Sequence, residues 1–238
     1  MRIKVASISD CGGRSINDDT VRIRQEHSSA WAFVGDGLGG YAGGQQASQA
    51  AAEALMKVSR KGSLLTDAQL ISAANLADQA VRKVQKDRSG KMKTTLVFLI
   101  IDDGQARWMH VGDSRLYHFH GGKIQHQTMD HSVSQMAVLM GEITPHQIRF
   151  HEDRNRVLRA LGGESAKPDL APAIQLTEGK EAFLLCTDGF WEYVFEEEME
   201  QTLSQSKDPQ QWLDKMLTIL HSRTPADNDN FTAAVVFC

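Results

Sequence analysis

The sequence has no long hydrophobic run. Its longest uninterrupted apolar stretches, residues 96–101 and 233–238, are six residues each, far short of the ~20 that a membrane-spanning helix needs. Cysteine is scarce. Cys11, Cys186 and Cys238 are widely spaced and odd in number, which argues against both a disulfide framework and a zinc ribbon. An excess of basic charge is also missing: 26 Lys and Arg stand against 30 Asp and Glu, a net charge of −4, so nucleic acid is not an expected partner. The opening MRIKVASISD lacks the apolar stretch of a secretory signal, and a cytoplasmic location without a membrane anchor is expected. Repeats, low-complexity tracts and linkers are absent. The 238 residues are read as one domain, as their number suits.

What is present is a mixture of short strands and amphipathic helices. Residues 3–8, 21–24 and 30–34 read as strands, rich in β-branched or aromatic side chains and stopped by Gly, Asp or Ser. Ala47, Ala50, Ala51, Ala54, Leu55 and Val58 then recur at helical spacing, and after a loop around Gly62 so do Leu70, Ala74, Ala77, Val81 and Val84. Thr66 and Gln69 give the second helix a capping-box start. Strands return at 94–101, 105–111, 116–120 and 123–127, joined by tight-turn sequences that predict a four-strand antiparallel meander. A helical insertion is expected over 132–149 and a strand over 182–187. Asp208-Pro209 opens a helix with Trp212, Leu213, Met216, Leu217 and Leu220 on its face, and a strand over 231–237 closes the chain. This is an α+β pattern of antiparallel sheets with helices on their outer faces.

Aspartate falls at informative places in that pattern. Asp36-Gly37 follows the apolar AWAFV, Asp188-Gly189 follows AFLLCT, Asp113 lies in a turn expected to close a hairpin, Asp229 precedes the last strand, and Asp18-Asp19 precede Val21. Each one taken singly is an ordinary turn former. Together they are acids at strand ends, where side chains distant in sequence can converge. Two unit charges ~4 Å apart repel by roughly 4 kcal/mol near a protein surface, so convergence calls for a counter-charge. Oxygen ligands without a Cys or His cluster point to a hard dication, Mg²⁺ or Mn²⁺. A two-metal site of that kind activates water and holds a phosphoryl group for in-line attack. Glycine after Asp36 and Asp188 would leave room for a carbonyl or a water to approach. Arg14 is spaced to reach the same mouth and clamp phosphate oxygens. Asp113 has a competing role as a turn acid paired with Arg115, and the histidines at 110, 118, 120 and 126 read as strand residues rather than ligands.

Eight strings stand in a recognisable order: GGRSINDD (12–19), GDGLGG (35–40), KTTLVFLI (93–100), VGDSRLY (111–117), MDHSVSQMAVLMGEIT (129–144), RNRVLRALGG (154–163), LLCTDGFWEYV (184–194) and DNDNFTAAVV (227–236). Together they resemble the metal-dependent serine/threonine protein phosphatases of the PP2C (PPM) family, bacterial type. The resemblance implies a four-layer α-β-β-α sandwich with two central antiparallel sheets, and a mobile flap over about 131–165. It implies that Asp36 bridges two Mn²⁺ or Mg²⁺ ions, with the Gly37 carbonyl on one of them. Asp188 and Asp229 complete one shell. Asp18 takes the place of a usual glutamate beside the second ion, with Asp19 following it, and Asp113 helps hold a third. Arg14 takes the substrate phosphate. The implied activity is hydrolysis of phosphoserine and phosphothreonine on proteins by metal-activated water, by a monomer that reverses a bacterial Ser/Thr kinase and acts on that kinase's targets.

The chain departs from the family pattern in places. Asp18 is one methylene shorter than Glu. Leu38 stands where animal members carry a histidine that protonates the leaving group, and where bacterial members commonly have Met. The proton then comes from a metal-bound water or from His131, and the sequence leaves that choice open. The Phe190-Trp191-Glu192 sequence resembles the form found in phosphatases that accompany type VI secretion kinases. A cysteine phosphatase is excluded because six residues after Cys11 and Cys186 stand Asn17 and Glu192 rather than Arg. The alternative of a different class is a pseudophosphatase that binds phosphoproteins as a regulatory module, whose signature would be loss of the acids; Asp36, Asp188 and Asp229 are all present.

Overall fold

A computed structural model describes residues 1–39, 43–58, 64–88 and 91–238. The chain runs through β1 (Lys4–Asp10), β2 (Thr20–Glu26), β3 (Ser29–Gly35) and the two-residue β4 (Gly37–Leu38), then helices α1 (Gly43–Val58) and α2 (Asp67–Arg88). Next come β5 (Lys93–Thr94), β6 (Leu96–Asp102), β7 (Gln105–Val111), β8 (Arg115–His120), β9 (Lys123–Gln127) and helix α3 (Val133–Leu139). The short strands β10 (Asp169–Leu170) and β11 (Ile174–Gln175) precede β12 (Glu181–Cys186). Helices α4 (Asp188–Trp191), α5 (Glu196–Ser204) and α6 (Pro209–Arg223) lead to β13 (Phe231–Phe237). The loop expected around Gly62, and Gly40 at the end of the GDGLGG string, lie outside the described residues.

The strands form two antiparallel sheets, ordered β1-β13-β12-β8-β9 and β10-β7-β6-β3-β2, with β11 also on β7 and a separate β4-β5 ribbon. Alternation along each central strand builds the layers, because successive side chains point to opposite faces. Trp31 and Phe33 of β3, and Leu96, Phe98 and Ile100 of β6, face Ala47, Ala51, Leu55, Leu70, Ala74, Ala77 and Val81 of the α1–α2 pair. Their neighbours Ala32, Val34, Val97 and Leu99 meet Phe183, Leu185, Ala234 and Val236 of the other sheet. The far face of that second sheet, with Leu184, Cys186, Ala233 and Val235, packs on Trp212, Leu213, Met216 and Leu220 of α6. Buried on both faces, β6, β12 and β13 read as continuous apolar runs rather than as alternating ones. The result is the expected four-layer α-β-β-α order.

Local signals hold where they were expected. Asp208 accepts a hydrogen bond from the Gln211 amide (2.9 Å) at the start of α6, and the Thr66 amide donates to Gln69 Oε1 (2.8 Å). Three expectations are corrected. The run 94–101 breaks at Thr95, whose amide donates to the Asp36 carbonyl (2.9 Å), so Lys93–Thr94 pairs with β4 while the rest enters the sheet. The insertion is not one helix: α3 ends near Gly141, which has φ +76°, and a 3₁₀ turn, Pro145–Phe150, follows. The meander is two hairpins in different sheets, for β6-β7 belong to one and β8-β9 to the other. Asp113 therefore stands where the chain crosses between sheets, not in a hairpin turn. Among the described residues, no helix is long and apolar enough to cross a membrane.

Candidate active site

Strand register explains why acids far apart in the chain meet. In one sheet Thr20 pairs with Gly35 and Leu96 with Val111, so the start of β2, the end of β3, the start of β6 and the end of β7 share one edge. In the other sheet Cys186 pairs with both Arg115 and Ala233, and Asp10 with Phe231. The loops bearing Arg14, Asp18, Asp36, Asp113, Asp188 and Asp229 thus emerge at one end of the sandwich. They line a single cleft of about 360 Å³ together with Gly37. Asp19 is the exception. It is buried beside the cleft rather than on its lining, and its Oδ2 accepts a hydrogen bond from Thr187 Oγ1 (2.8 Å).

The backbone around the acids is fixed by close approach. A Cβ on Gly37 would lie 2.2 Å from the Gly44 carbonyl oxygen and 2.4 Å from that of Asp18. A Cβ on Gly189 would lie 2.0 Å from the Asn230 carbonyl oxygen. Of the two expected occupants, a carbonyl or a water, it is the protein's own carbonyls that take the space these glycines leave. Asp18 bonds at both ends: its amide donates to Asn230 Oδ1 (2.8 Å), and its Oδ1 accepts the Gln45 amide (2.9 Å) in the first turn of α1. A carboxylate there is favoured by the helix dipole. Asn230 also donates to the carbonyls of Cys11 and Ile16 (2.9 Å each), which holds the Arg14 loop. Arg14 itself is exposed and pairs with Asp229 at 3.2 Å.

Electrostatics show the cost of the convergence. Burial, followed by the charges of Asp188, Asp19, Asp113 and Asp229, pushes the Asp36 carboxyl well above the usual carboxylate range. Burial and then Asp188 do the same to Asp113. Asp19 is raised to about 7 and Asp188 to about 6, each chiefly by burial. Asp113 is 2 % exposed and its Oδ1 has no hydrogen-bond partner, a state that is costly unless a cation or proton satisfies it. The sole cationic side chain among the described lining residues is Arg14. An all-oxygen donor set with an orphaned carboxylate oxygen fits hard dications.

The expected alternative partner of Asp113 is engaged elsewhere. Arg115 makes a bidentate pair with Asp130 (2.8 and 2.7 Å), and its guanidinium lies 3.5 Å from the Trp191 ring centroid. Trp191 Nε1 in turn donates to the Asp113 carbonyl (3.0 Å). His131 is likewise committed away from the cleft. Its Nδ1 accepts the Gly112 amide (3.1 Å), and its Nε2 faces Asp169 Oδ2 and Arg159 Nη1, each at 3.2 Å. It does not line the cleft, which corrects its place among the candidate proton donors. His131, His110 and Asp169 do cluster, but the Arg159 guanidinium already supplies a cation there.

Reading the sequence alone missed Asn155, Val157 and Asn230, which also line the cleft. Asn230 was signalled by the DNDN string. Asn155 and Val157 fall within the RNRVLRALGG string of the 131–165 segment, but no role is assigned to either.

Taken together, fold and cleft define a four-layer α-β-β-α protein with an acid-lined site between the ends of its two sheets. A family model described as Protein phosphatase 2C matches residues 12–228. The serine/threonine protein phosphatase PstP of Mycobacterium tuberculosis is 31% identical over 206 residues, covering 84% of this chain and 39% of that protein; the chain thus spans about two fifths of that relative's length. Among solved structures, PppA, titled a key regulatory component of T6SS in Pseudomonas aeruginosa, superposes with a TM-score of 0.85 at 29% identity, covering 100% of this chain and 98% of that one. The catalytic domain of PstP in complex with two manganese ions gives a TM-score of 0.83 at 27% identity, covering 99% and 97%. The chain belongs to the protein phosphatase 2C family.

Proposed function

We propose that this chain is a metal-dependent serine/threonine protein phosphatase. The carrying observation is the convergence of Asp18, Asp36, Asp113, Asp188 and Asp229 on one cleft, with an unpartnered buried oxygen on Asp113. Asp36, the Gly37 carbonyl, Asp188 and Asp229 would hold one or both of two Mn²⁺ or Mg²⁺ ions, with Asp18 and Asp19 beside the second and Asp113 at a third. The PstP domain with two manganese ions supports this reading. Such ions, when bound, offset the carboxylate charge and acidify water to serve as nucleophile. Arg14, exposed at the mouth, orients the phosphate by charge-assisted hydrogen bonds. The transition state of phosphoryl transfer is loose, so positioning and charge neutralisation supply most of the catalysis.

Action as a monomer belongs to the same reading. The substrates are phosphorylated proteins in the cytoplasm, phosphorylated by a partner Ser/Thr kinase. The likeness to PppA supports type VI secretion as the setting. The pseudophosphatase reading is not favoured, because none of the cleft acids is lost. Hydrolysis of para-nitrophenyl phosphate and of a phosphothreonine peptide with Mn²⁺ tests the proposal. Both are expected to be turned over by the native chain and not by a folded Asp36→Asn variant, and an active, metal-saturated variant would refute the role of Asp36.

A further inference from the structure

A second concavity of about 670 Å³ adjoins the acid-lined cleft and shares Leu38, Gly39, Asn155 and Val157 with it. Its character is the opposite. Lys91, Lys93 and Arg156 line it, and Glu164 is its one acidic side chain among the described residues. The sequence places the lysines by alternation: Lys91 and Lys93 are exposed while Met92 and Thr94 between and after them are buried, Met92 in the core under α1 and α2. Lys93 pairs with Leu38 across the β4-β5 ribbon, and residues directly opposite in a ladder share a face. Among the described residues neither lysine holds an ion pair, whereas Lys123 does, to Glu200. Arg156 is largely exposed and paired to Asp153 at 3.1 Å. The apolar part of the wall is Leu38, Val157, Ala160 and Leu158, the last 51% exposed.

A cationic, partly apolar groove running out of a catalytic cleft complements a chain segment that is acidic and apolar. We propose that this groove seats acidic and aliphatic residues flanking the phosphorylated side chain of a protein substrate, so that the chain selects phosphosites by their neighbours. The proposal rests on the phosphatase reading above and adds to it the class of sequence taken. The lysines act at a distance from the reacting atoms: they position the substrate chain and steer it by charge, an effect that salt screens.

The test compares two phosphothreonine peptides of equal length, one flanked by Asp, Glu and Leu and the other by Lys and Ser, with para-nitrophenyl phosphate as a substrate too small to reach the groove. Rates are measured with Mn²⁺ for the native chain, for Lys91→Glu/Lys93→Glu, and for the milder Lys93→Ala. The native chain is expected to favour the acidic peptide by about tenfold in kcat/KM, the yield of two exposed ion pairs. The double reversal should remove that preference mainly through KM, with para-nitrophenyl phosphate turnover unchanged, and Lys93→Ala should weaken it by about threefold. Equal kcat/KM for the two peptides in the native chain, or a preference that survives the double reversal, overturns the groove assignment while the phosphatase reading stands. Failure to hydrolyse all three substrates overturns the phosphatase reading and the groove's role with it.

Discussion

Replacing Asp19 by asparagine should change how the stability of the metal-stripped protein depends on pH. Burial raises the Asp19 carboxyl from 3.8 to about 7, with Asp188 and Asp229 adding to the rise and hydrogen bonds from Thr187 and Thr232 opposing it. Between about pH 4 and 7 the folded chain therefore keeps a proton that the unfolded chain has released. The stability linked to Asp19 is fully present below pH 4 and is lost as the pH climbs through 7. A displacement of about three pH units corresponds to about 4 kcal/mol. Asp19 is only 6 % exposed, so solvent screening takes little from this figure. About 3 kcal/mol of this falls between pH 4.5 and 8, and at about 2–4 °C per kcal/mol for a chain of this size the wild-type Tm in chelator should fall relative to Asp19→Asn by roughly 6–12 °C over that range. Thermal melts of both proteins across that range measure the difference. With excess Mn²⁺ the trend should invert, because dications replace the protons and bind more tightly as pH rises. A wild-type minus variant difference that is flat with pH in chelator, or that grows in favour of the wild type, would refute the reasoning.

Other perturbations have expected outcomes of different kinds. Asp130→Ala leaves the Arg115 guanidinium buried without its bidentate partner, and should cost about 3–5 kcal/mol, read as a lowered urea midpoint; a loss under about 1 kcal/mol would mean that Glu196, 3.6 Å from Arg115, takes over. Arg14→Ala, at an exposed position, should leave the melting temperature nearly unchanged. Its kcat/KM toward a phosphopeptide should fall by about 10–100-fold, the loss of one charge-assisted hydrogen-bonding group.

Much of the architecture is legible in the sequence, because its elements carry strong local patterns. The alanine-rich face of α1, the Asp208-Pro209 start of α6 and the apolar runs of β6, β12 and β13 each follow from spacing and capping. Sheet membership is not local. Four strands with tight turns between them look like one meander, yet the crossing at Gly112-Asp113 sends β7 and β8 to different sheets, and nothing between residues 105 and 120 marks that. Gly112 has φ +105° and is tied to His131, nineteen residues on. The two-residue strands β10 and β11 carry too few side chains to show a period. The acids' shared location was suggested by their positions at strand ends. The close approach of Gly44 to Gly37, which brings the start of α1 against the Asp18 backbone, depends on tertiary packing that one sequence does not display. So does the commitment of Arg115 to Asp130 rather than Asp113.

The central claim, that the strand-end acids are a dication site serving phosphate hydrolysis, is tested most directly by one titration. The purified chain is stripped with chelator and phosphate release from a phosphothreonine peptide is followed as Mn²⁺ is added back. The account predicts no release in excess chelator and full recovery as the ion saturates the cleft. Undiminished release with chelator in excess would contradict it.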